Sequence, residues 1–534
     1  MFAPRTNHKS LTLLTSTVLA LGLCVSPSTT TVYAAEKPGD SLHWTTCPAD
    51  ITTNTPPMSM QCTTFKVPLD YGKPDDKKIT IMMSRIKATE HSRGVILINP
   101  GGPGQSALNL WTWLIHNGSS TPLHRNFDLI AVQPRGLEHA TPLLLQDSAT
   151  TSKTMSHAGI KEQKDYKELF AHITTENTAR DFDMARQYLG QQKINFYGAS
   201  YGTWLGAVYA TLFPQHTDRL VLDSAVDPTG IWLDNLSGHG NLQRRRMYEM
   251  FDFLAAHDDL YHLGDTPLKV YTRWYRIIEQ ELHGPAAPRI SAPPAQIGDV
   301  PPEFKHNIQL YLTGHNLARP IVDRIERAIH AWEIPTAEYS HNLWEITGTA
   351  LTSRSYWPQV AVYMQNPNPQ PLTDDEKVEN LISSNVFKAI VCNENTTKPA
   401  PLNFLIGSAA YFAGADAFTL QDLVMSSGIT CLGITPSTKP VKVVGTFLKN
   451  RPVVLQSIYD TQTPYAGGRK MAQEMNAYFI KTEGGDHIIY AYDNPEARKL
   501  VNNYYLKEPI VTRTSLPYTC LLYTSDAADD SLRV

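Results

Sequence analysis

The chain has 534 residues, of which 42% are hydrophobic and 18% charged, and its formal net charge is -4. This is the composition of a globular protein, long enough for one large domain with a substantial insertion or for two or three smaller domains. Basic residues are not in excess and form only one local run, Arg244-Arg245-Arg246, so the composition argues against a nucleic-acid-binding protein.

The N-terminal segment has the features of an export signal. Arg5 and Lys9 precede the apolar run "LTLLTSTVLALGLCV", which is too short to span a bilayer, and the small-residue site "VYA" ends at Ala34. We therefore predict a signal peptide over residues 1–34, a secreted or periplasmic protein, and no stable membrane insertion after cleavage. A lipid anchor on Cys24 is the alternative, although Leu23 is a poor residue before a lipidated cysteine.

Five cysteines follow the predicted signal peptide, and an exported protein can keep them as disulfides. Short spacing suggests the pairs Cys47–Cys62 and Cys392–Cys431, with other pairings left open. The fifth, Cys520, begins "CLLYTSDAADDSLRV", which has no apolar periodicity. We interpret residues 520–534 as a non-native tail and leave them out of the fold prediction.

Strand-like and helix-like runs alternate through the first part of the chain. "CTTFKVPLDY" and "KKITIMMSRIKA" come first, separated by the turn "GKPDD". The buried-strand runs "GVILINPGG", "FDLIAVQPRG", "KINFYGAS" and "RLVLDSA" follow, with helical segments such as "TARDFDMARQYL" and "YGTWLGAVYATLF" between them. Strands that are apolar on both faces and alternate with helices predict an α/β fold with a mostly parallel sheet, which here has an antiparallel start.

The pattern changes near residue 229 and returns near residue 441. Between them lie helical stretches such as "RRRMYEMFDFLAA" and "PLKVYTRWYRIIEQEL" and the proline-rich "GPAAPRISAPPAQIGDVPPE". The strand runs resume with "RPVVLQSIYD" and "AYFIKTEGGDH". We predict an α/β domain in two parts, residues 35–228 and 441–515, interrupted by a mainly helical cap over residues 229–440.

The stretch "YGASYG" places Ser200 between two glycines, at the point where a strand-like run meets a helical run. In a strand–turn–helix elbow of this form, small residues relieve crowding and the serine is exposed at the carboxyl edge of the sheet. The helix that begins there directs its N-terminal amides and its dipole at the same place, which favours developing negative charge. Ser200 is therefore the candidate nucleophile.

A serine hydroxyl needs a base, and the base needs an orienting acid. With such an elbow the expected chain order is serine, acid, histidine. "VVLQSIYDTQTP" ends a strand at Asp460, and "AYFIKTEGGDHIIYA" carries His487 on a glycine-bearing turn after the next strand. Asp460 as a turn-forming residue, and Asp223 or Asp227 as the acid, are the alternatives.

Backbone donors for an oxyanion are predicted in "INPGGPGQS", whose glycines allow the chain to bend toward the serine. We assign the oxyanion hole to Gly102, supported by Gly101, and to the backbone N–H of Tyr201. The loop lacks the lysine of a phosphate-binding P-loop and the spacing of a dinucleotide fingerprint, so phosphate binding is disfavoured.

Together, "VPLDY", "NPGGPGQS", "YGASYGTWLGAVYATLFPQHTDRLVLDSAVDPTG", "YDTQTP" and "GGDH" resemble the secreted tripeptidyl aminopeptidases, relatives of prolyl aminopeptidase within the α/β-hydrolase superfamily. The resemblance covers about residue 43 to about residue 510. It implies an α/β-hydrolase fold with a cap, cleavage of short peptides from free N-termini, the triad Ser200, Asp460 and His487, and no metal or organic cofactor. Two departures, "QPRGLEHA" for D-x-R-G-x-G-x-S and "GGDHI" for G-H-G, are expected to alter the walls of the substrate pocket.

An aminopeptidase must recognise the terminal ammonium of its substrate, which is costly to bury without a carboxylate. Glu394, in "AIVCNENTT", is our candidate for this role, with a solvated loop carboxylate as the alternative. A carboxylesterase would use the same triad without an amine-binding group. A catalytically silent binding protein of the same fold is the third hypothesis.

Overall fold

The computed structural model describes residues 42–52, 59–145, 160–281, 290–330, 342–492, 494–510 and 515–517. The predicted signal peptide with Cys24 and the predicted non-native tail from Cys520 lie outside the described residues. Both remain predictions.

One mixed sheet runs through the molecule. The strands among the described residues are β1 Thr45–Thr46, β2 Gln61–Pro68, β3 Lys78–Ile86, β4 Val95–Asn99, β5 Asp128–Val132, β6 Ile194–Ala199, β7 Thr217–Asp223, β8 Val453–Ser457, β9 Tyr478–Thr482 and β10 Ser515–Leu516. Their order is β1-β2-β3-β5-β4-β6-β7-β8-β9-β10. The pairs from β1 to β5 are antiparallel and those from β5 to β10 are parallel. The prediction of a mostly parallel sheet with an antiparallel start is confirmed; the two-residue strands β1 and β10 were not predicted.

Helices cover both faces of this sheet and form the cap. The α-helices of the described part are α1 Ala49–Thr52, α2 Leu110–His116, α3 Thr121–Asn126, α4 Gln163–His172, α5 Thr175–Tyr188, α6 Tyr201–Leu212, α7 Gly240–Ala256, α8 Asp258–Tyr261, α9 Pro267–Glu281, α10 Ile308–Ile329, α11 Leu343–Ala350, α12 Trp357–Gln365, α13 Asp374–Glu394, α14 Pro401–Phe412, α15 Ala417–Ser427, α16 Tyr465–Glu474 and α17 Pro495–Leu506. Short 3₁₀ helices span Pro214–His216, Leu233–Leu236, Ile297–Asp299, Pro302–Phe304, Arg354–Tyr356 and Ile429–Cys431. None of these described helices combines the length and the hydropathy that crossing a bilayer requires.

The central strands are buried on both faces. In β4, Ile96 and Ile98 belong to one apolar core, whereas Val95 and Leu97 belong to the other. Successive residues of a strand point to opposite faces, so a strand that is apolar throughout needs cover on both sides. Because strands β6, β7, β8 and β9 are parallel, their carboxyl ends lie at the same edge of the sheet, and the loops that follow them meet there.

The helices α7 to α15 lie between β7 and β8 in the chain, where the sequence predicts the cap. Aromatic side chains pack inside this region: the ring centroids of Phe251 and Trp274 are 5.7 Å apart, and those of Trp274 and Trp344 are 6.1 Å apart. Phe251 and Trp274 belong to the same apolar cluster as Ile96 and Ile98 of β4, so the cap packs continuously against one face of the sheet. Its predicted limits, residues 229 and 440, remain a proposal.

Both disulfide pairings suggested by spacing are confirmed. Cys47–Cys62 joins the β1 region to β2, which is its neighbour in the sheet. Cys392–Cys431 joins α13 to the 3₁₀ turn after α15.

Candidate active site

Ser200 lies on a sharp turn between β6 and α6. Its backbone has φ 56° and ψ -124°, a conformation that L-residues other than glycine rarely adopt. The turn is held because the Ser200 N–H donates to the carbonyl of Asp223 at 3.0 Å. Gly198 must be a glycine, because a Cβ there would lie 2.1 Å from the carbonyl oxygen of Gly202. The sequence motif thus folds as the predicted elbow.

Asp460 and His487 form a fully buried pair at the ends of β8 and β9. His487 Nδ1 lies 3.0 Å from Asp460 Oδ1 and 2.9 Å from Oδ2, and both residues are 0% exposed. The carboxylate also accepts the N–H groups of Gln462 at 2.8 Å and Thr463 at 2.9 Å. Burial alone would raise the pKa of Asp460, but the charge and hydrogen bond of His487, together with these N–H groups, hold that pKa below its ordinary value. Asp460 therefore carries a charge that orients His487 through Nδ1.

The other ring nitrogen of His487 is the one available for proton transfer. Nε2 is buried and has no hydrogen-bond partner within the described part of the chain. Nor is a hydrogen bond from the Ser200 hydroxyl to it present in this structure. Such hydrogen bonds are often long in unliganded enzymes and shorten when substrate binds.

The alternative acids are engaged elsewhere. The carboxylate of Asp223 accepts the N–H groups of Ile489 at 2.9 Å and Tyr490 at 2.8 Å. Asp227 lies 2.6 Å from Lys470 Nζ. Among the three candidate acids, the geometry favours Asp460.

The glycine loop after β4 packs directly on the elbow. A Cβ on Gly101 would lie 2.7 Å from the carbonyl oxygen of Ala199 and 2.8 Å from Ser200 Cβ, and its φ is +110°. The Gly101 N–H donates to Asn99 Oδ1 at 3.1 Å. Among the described residues, no protein acceptor takes a hydrogen bond from the N–H of Gly102 or of Tyr201, so both stay the predicted oxyanion donors.

Glu394 is buried inside the protein. It is the last residue of α13 and is 2% exposed, so the expectation of a loop carboxylate is wrong. Its oxygens accept hydrogen bonds from the backbone N–H and hydroxyl of Thr175 and from the indole N–H groups of Trp204 and Trp232. Burial raises its pKa to about 7, although the hydrogen bonds from these four donors lower the pKa in part. A substrate ammonium would have to displace the protein's own donors, so this geometry does not support an amine-binding role.

The first departure from the family pattern has a structural explanation. Gln133 occupies the aspartate position of the motif D-x-R-G-x-G-x-S, and its Oε1 accepts the Ala107 N–H at 3.0 Å and the Ser106 hydroxyl at 3.2 Å. Arg135 is fully buried, pairs with Asp181 at 2.6 Å and donates to the carbonyl of Leu69 at 2.9 Å. Gln133 thus supports the chain just after the oxyanion loop, and Arg135 stabilises the core instead of lining a pocket.

The cap contacts the histidine loop, which the sequence did not predict. The His487 N–H donates to the carbonyl of Thr352 at 2.7 Å. The neighbouring Asp486 accepts the Arg354 N–H at 2.9 Å and pairs with Arg246 of α7. The "GGDH" form of this loop therefore places an acidic residue between two cap arginines.

Two family models match the chain, one described as alpha/beta hydrolase fold over residues 94–271 and one described as TAP-like protein over residues 418–514. The chain is 34% identical over 272 residues to tripeptidyl aminopeptidase from Streptomyces lividans, covering 46% of this chain and 50% of that protein. It is 24% identical over 493 residues to serine protease Hip1 from Mycobacterium tuberculosis, covering 85% and 87%. It is 32% identical over 206 residues to carboxylesterase B from the same species, covering 35% and 40%.

The match to the tripeptidyl aminopeptidases thus spans about half of their length and 46% of this chain. The match to serine protease Hip1 extends over most of both chains at lower identity. The fold, the order of the sheet and the two family models agree with one another. The chain has the α/β-hydrolase fold, and its similarity to a tripeptidyl aminopeptidase and to a serine protease indicates a serine hydrolase.

Proposed function

We propose that the protein is an exported serine aminopeptidase that releases short peptides, tripeptides in particular, or single residues from free N-termini. The observation that carries the proposal is the buried Asp460–His487 pair, whose free Nε2 belongs to the same sheet edge as the Ser200 elbow and the Gly101–Gly102 loop. Similarity to tripeptidyl aminopeptidases supports the substrate class, and the two disulfides are compatible with export.

In the acylation step, Ser200 Oγ attacks the carbonyl carbon of the scissile bond while His487 Nε2 takes the hydroxyl proton. Negative charge develops on the carbonyl oxygen, and the N–H groups of Gly102 and Tyr201 donate to it. Asp460 stabilises the imidazolium that forms on His487. The imidazolium then protonates the leaving nitrogen, the C–N bond breaks, and the N-terminal fragment remains as an ester on Ser200.

Deacylation repeats these roles with water as the nucleophile. His487 Nε2 removes a proton from the water, whose oxygen attacks the ester carbonyl. When the second tetrahedral intermediate collapses, His487 returns the proton to Ser200 Oγ. The products are the released N-terminal fragment with a free carboxylate and the shortened peptide, and the enzyme is restored.

Restricted access supports an exopeptidase over a general protease. Ser200 is 7% exposed and His487 is 0% exposed. The cap is fixed to the histidine loop through Thr352, Arg354 and Arg246, so it forms a wall beside the triad. This low exposure of the serine and the histidine favours the end of a short peptide over the surface of a folded protein as the substrate.

The test is hydrolysis of chromogenic peptides one, two and three residues long, each with a free and an acetylated N-terminus, by wild type and by Ser200→Ala. We expect cleavage of free N-termini alone, lost in Ser200→Ala, with the most rapidly cleaved length defining the product. Equal cleavage of acetylated peptides would contradict the aminopeptidase assignment.

A carboxylesterase is the second candidate, favoured by the 32% identity to carboxylesterase B. Simple esters added to the same series distinguish the two. Serine-dependent hydrolysis of esters with no peptide cleavage would select the esterase, and no hydrolysis of either class would select a binding protein of this fold.

A further inference from the structure

Asp223, the last residue of β7, is 0% exposed and is not part of the catalytic steps above. Its carbonyl oxygen accepts the Ser200 N–H at 3.0 Å. Its carboxylate accepts the N–H of Ile489 through Oδ1 at 2.9 Å and the N–H of Tyr490 through Oδ2 at 2.8 Å. One residue thus contacts both the nucleophile elbow and the loop that carries His487.

Ser224 extends this connection. Its hydroxyl accepts the Ile488 N–H at 2.8 Å, and its own N–H donates to the carbonyl of Leu455 in β8, the strand that precedes Asp460. Three consecutive N–H groups after His487, those of residues 488, 489 and 490, therefore bind the Asp223–Ser224 pair. The Ser200 elbow, the strand β8 that leads to Asp460 and the loop after His487 all hydrogen-bond to these two residues.

The histidine loop needs such support because its backbone is strained. Ile488 has φ +64°, a region that β-branched residues rarely occupy, and such a conformation persists only where surrounding contacts hold it. The strained residue is the one directly after His487. A shift of the loop out of this conformation would move the imidazole, and a misplacement of about 1 Å can cost about 100-fold in rate.

We propose that Asp223 and Ser224 are positioning residues of the hydrolytic site: they fix the His487 loop to the Ser200 elbow, so that Nε2 of His487 can reach the Ser200 hydroxyl when substrate binds. The inference rests on the proposed triad. It gives Asp223 a role different from that of the orienting acid, because His487 Nδ1 is already paired with Asp460.

The chemistry of the site calls for a carboxylate. Two backbone N–H groups and the hydroxyl of Tyr197, at 2.9 Å, all donate to Asp223, and an ionised carboxylate has acceptor sites for each. An asparagine would turn its NH₂ group toward at least one of these donors. Asp223→Asn therefore keeps the shape of the side chain but removes at least one of these hydrogen bonds.

The experiment compares Asp223→Asn and Ser224→Ala with Asp181→Asn. Asp181 is an equally buried carboxylate, paired with Arg135, so it controls for the general loss of a buried charge. The measurement is the second-order rate of reaction of the folded enzyme with a fluorophosphonate, which reports the reactivity of the serine without a peptide. Circular dichroism and a melting curve establish the folded fraction of each variant.

We expect Asp223→Asn to react about 10- to 100-fold more slowly and Ser224→Ala about threefold more slowly. Asp181→Asn melts earlier but keeps the wild-type rate per folded molecule. On a cleaved substrate, the loss in Asp223→Asn appears in kcat with KM unchanged. If both variants react at the wild-type rate, the pair is only structural and the inference is overturned; where Asp223→Asn does not fold, Ser224→Ala decides in the same way.

The fluorophosphonate separates this inference from the proposed function. A wild-type enzyme that reacts with the probe but cleaves no peptide would contradict the aminopeptidase assignment, while slower reaction of the two variants would still support the positioning role. A wild-type enzyme that does not react at all would overturn both, because the triad itself would be absent.

Discussion

Nδ1 of His487 lies 2.9 Å from Oδ2 of Asp460, and neither side chain is exposed to solvent. A carboxylate in this position fixes the imidazole ring and its tautomer and stabilises the positive charge that forms during proton transfer. Thr463 also fixes the acid, since its hydroxyl donates to the same Oδ2 at 3.0 Å and lies 3.4 Å from His487 Nδ1. These contacts therefore hold the imidazole of His487 in one orientation.

Asp460→Asn should preserve the fold and remove this control of the tautomer. We expect kcat to fall by about 10⁴, as expected when a triad acid becomes an amide, with little change in KM. Steady-state kinetics on the free-N-terminus peptides measures this. A fall of less than tenfold would indicate that another group orients His487.

Gly101→Ala tests the oxyanion loop. The new Cβ would lie 2.7 Å from the carbonyl of Ala199, so the loop must move away from the elbow and the Gly102 donor must move with it. We expect kcat to fall by about 100-fold or more. Gly118→Ala is the control, because Gly118 also has a positive φ, +78°, but has open space around it. Equal kinetic losses in the two variants would count against the assigned oxyanion hole.

His239 lies where α7 of the cap begins, and the charges of both Asp460 and His487 act on it. Burial lowers the pKa of His239 most strongly. The charges of Asp422 and Asp460 raise this pKa and the charge of His487 lowers it, and the net result is a pKa below the ordinary value. It is 7% exposed, and its Nε2 has no partner among the described residues. We expect bound substrate to contact this neutral ring, so His239→Ala should raise KM more than it lowers kcat.

The control for this prediction is His306→Ala, which changes an exposed histidine of the cap. Kinetics on the most rapidly cleaved peptide compares the two variants. An unchanged KM in His239→Ala would exclude contact between His239 and the substrate.

We expect the stability of the fold to depend on pH because of Glu394. Burial raises its pKa from 4.5 to about 7, so the folded state holds the proton more tightly than the unfolded state. The contribution of Glu394 to the free energy of unfolding is fully present below about pH 4.5. It is lost as the pH rises through about 7, and the total loss is about 3 kcal/mol. Asp223, with its pKa raised by burial to about 6, acts in the same direction.

Urea unfolding of wild type and Glu394→Gln at several pH values between 5 and 8 measures this. The variant should be less stable at pH 5, because its amide faces the donors of Thr175 and the two tryptophans, but its free energy of unfolding should fall less between pH 5 and 8. Parallel curves for the two proteins would mean that Glu394 does not titrate in this range.

The sequence was sufficient for the sheet and for the order of the candidate triad, because both follow from short-range patterns. Apolar runs that end in glycine, aspartate or histidine locate strand ends, and parallel strand ends meet at one edge of a sheet. Ser200, Asp460 and His487 each follow such a strand end, which is why the sequence predicts them as the candidate triad.

The environments of Glu394 and Asp223 follow no such rule. Whether the last turn of α13 faces solvent or the indoles of Trp204 and Trp232 depends on how the cap docks, and the chain has no local signal for that contact. The role of Asp223 depends on the N–H groups of residues 489 and 490, which are more than 260 positions away. The two-residue strands β1 and β10 are too short to have a periodic pattern.

The proposed mechanism requires Ser200 to be an activated nucleophile. Treatment with diisopropyl fluorophosphate, followed by intact-protein and peptide mass spectrometry, tests this. We expect one adduct per molecule, located on Ser200, absent in Ser200→Ala and formed far more slowly in His487→Ala. The absence of an adduct on the wild-type protein, or an adduct on a different residue, would contradict it.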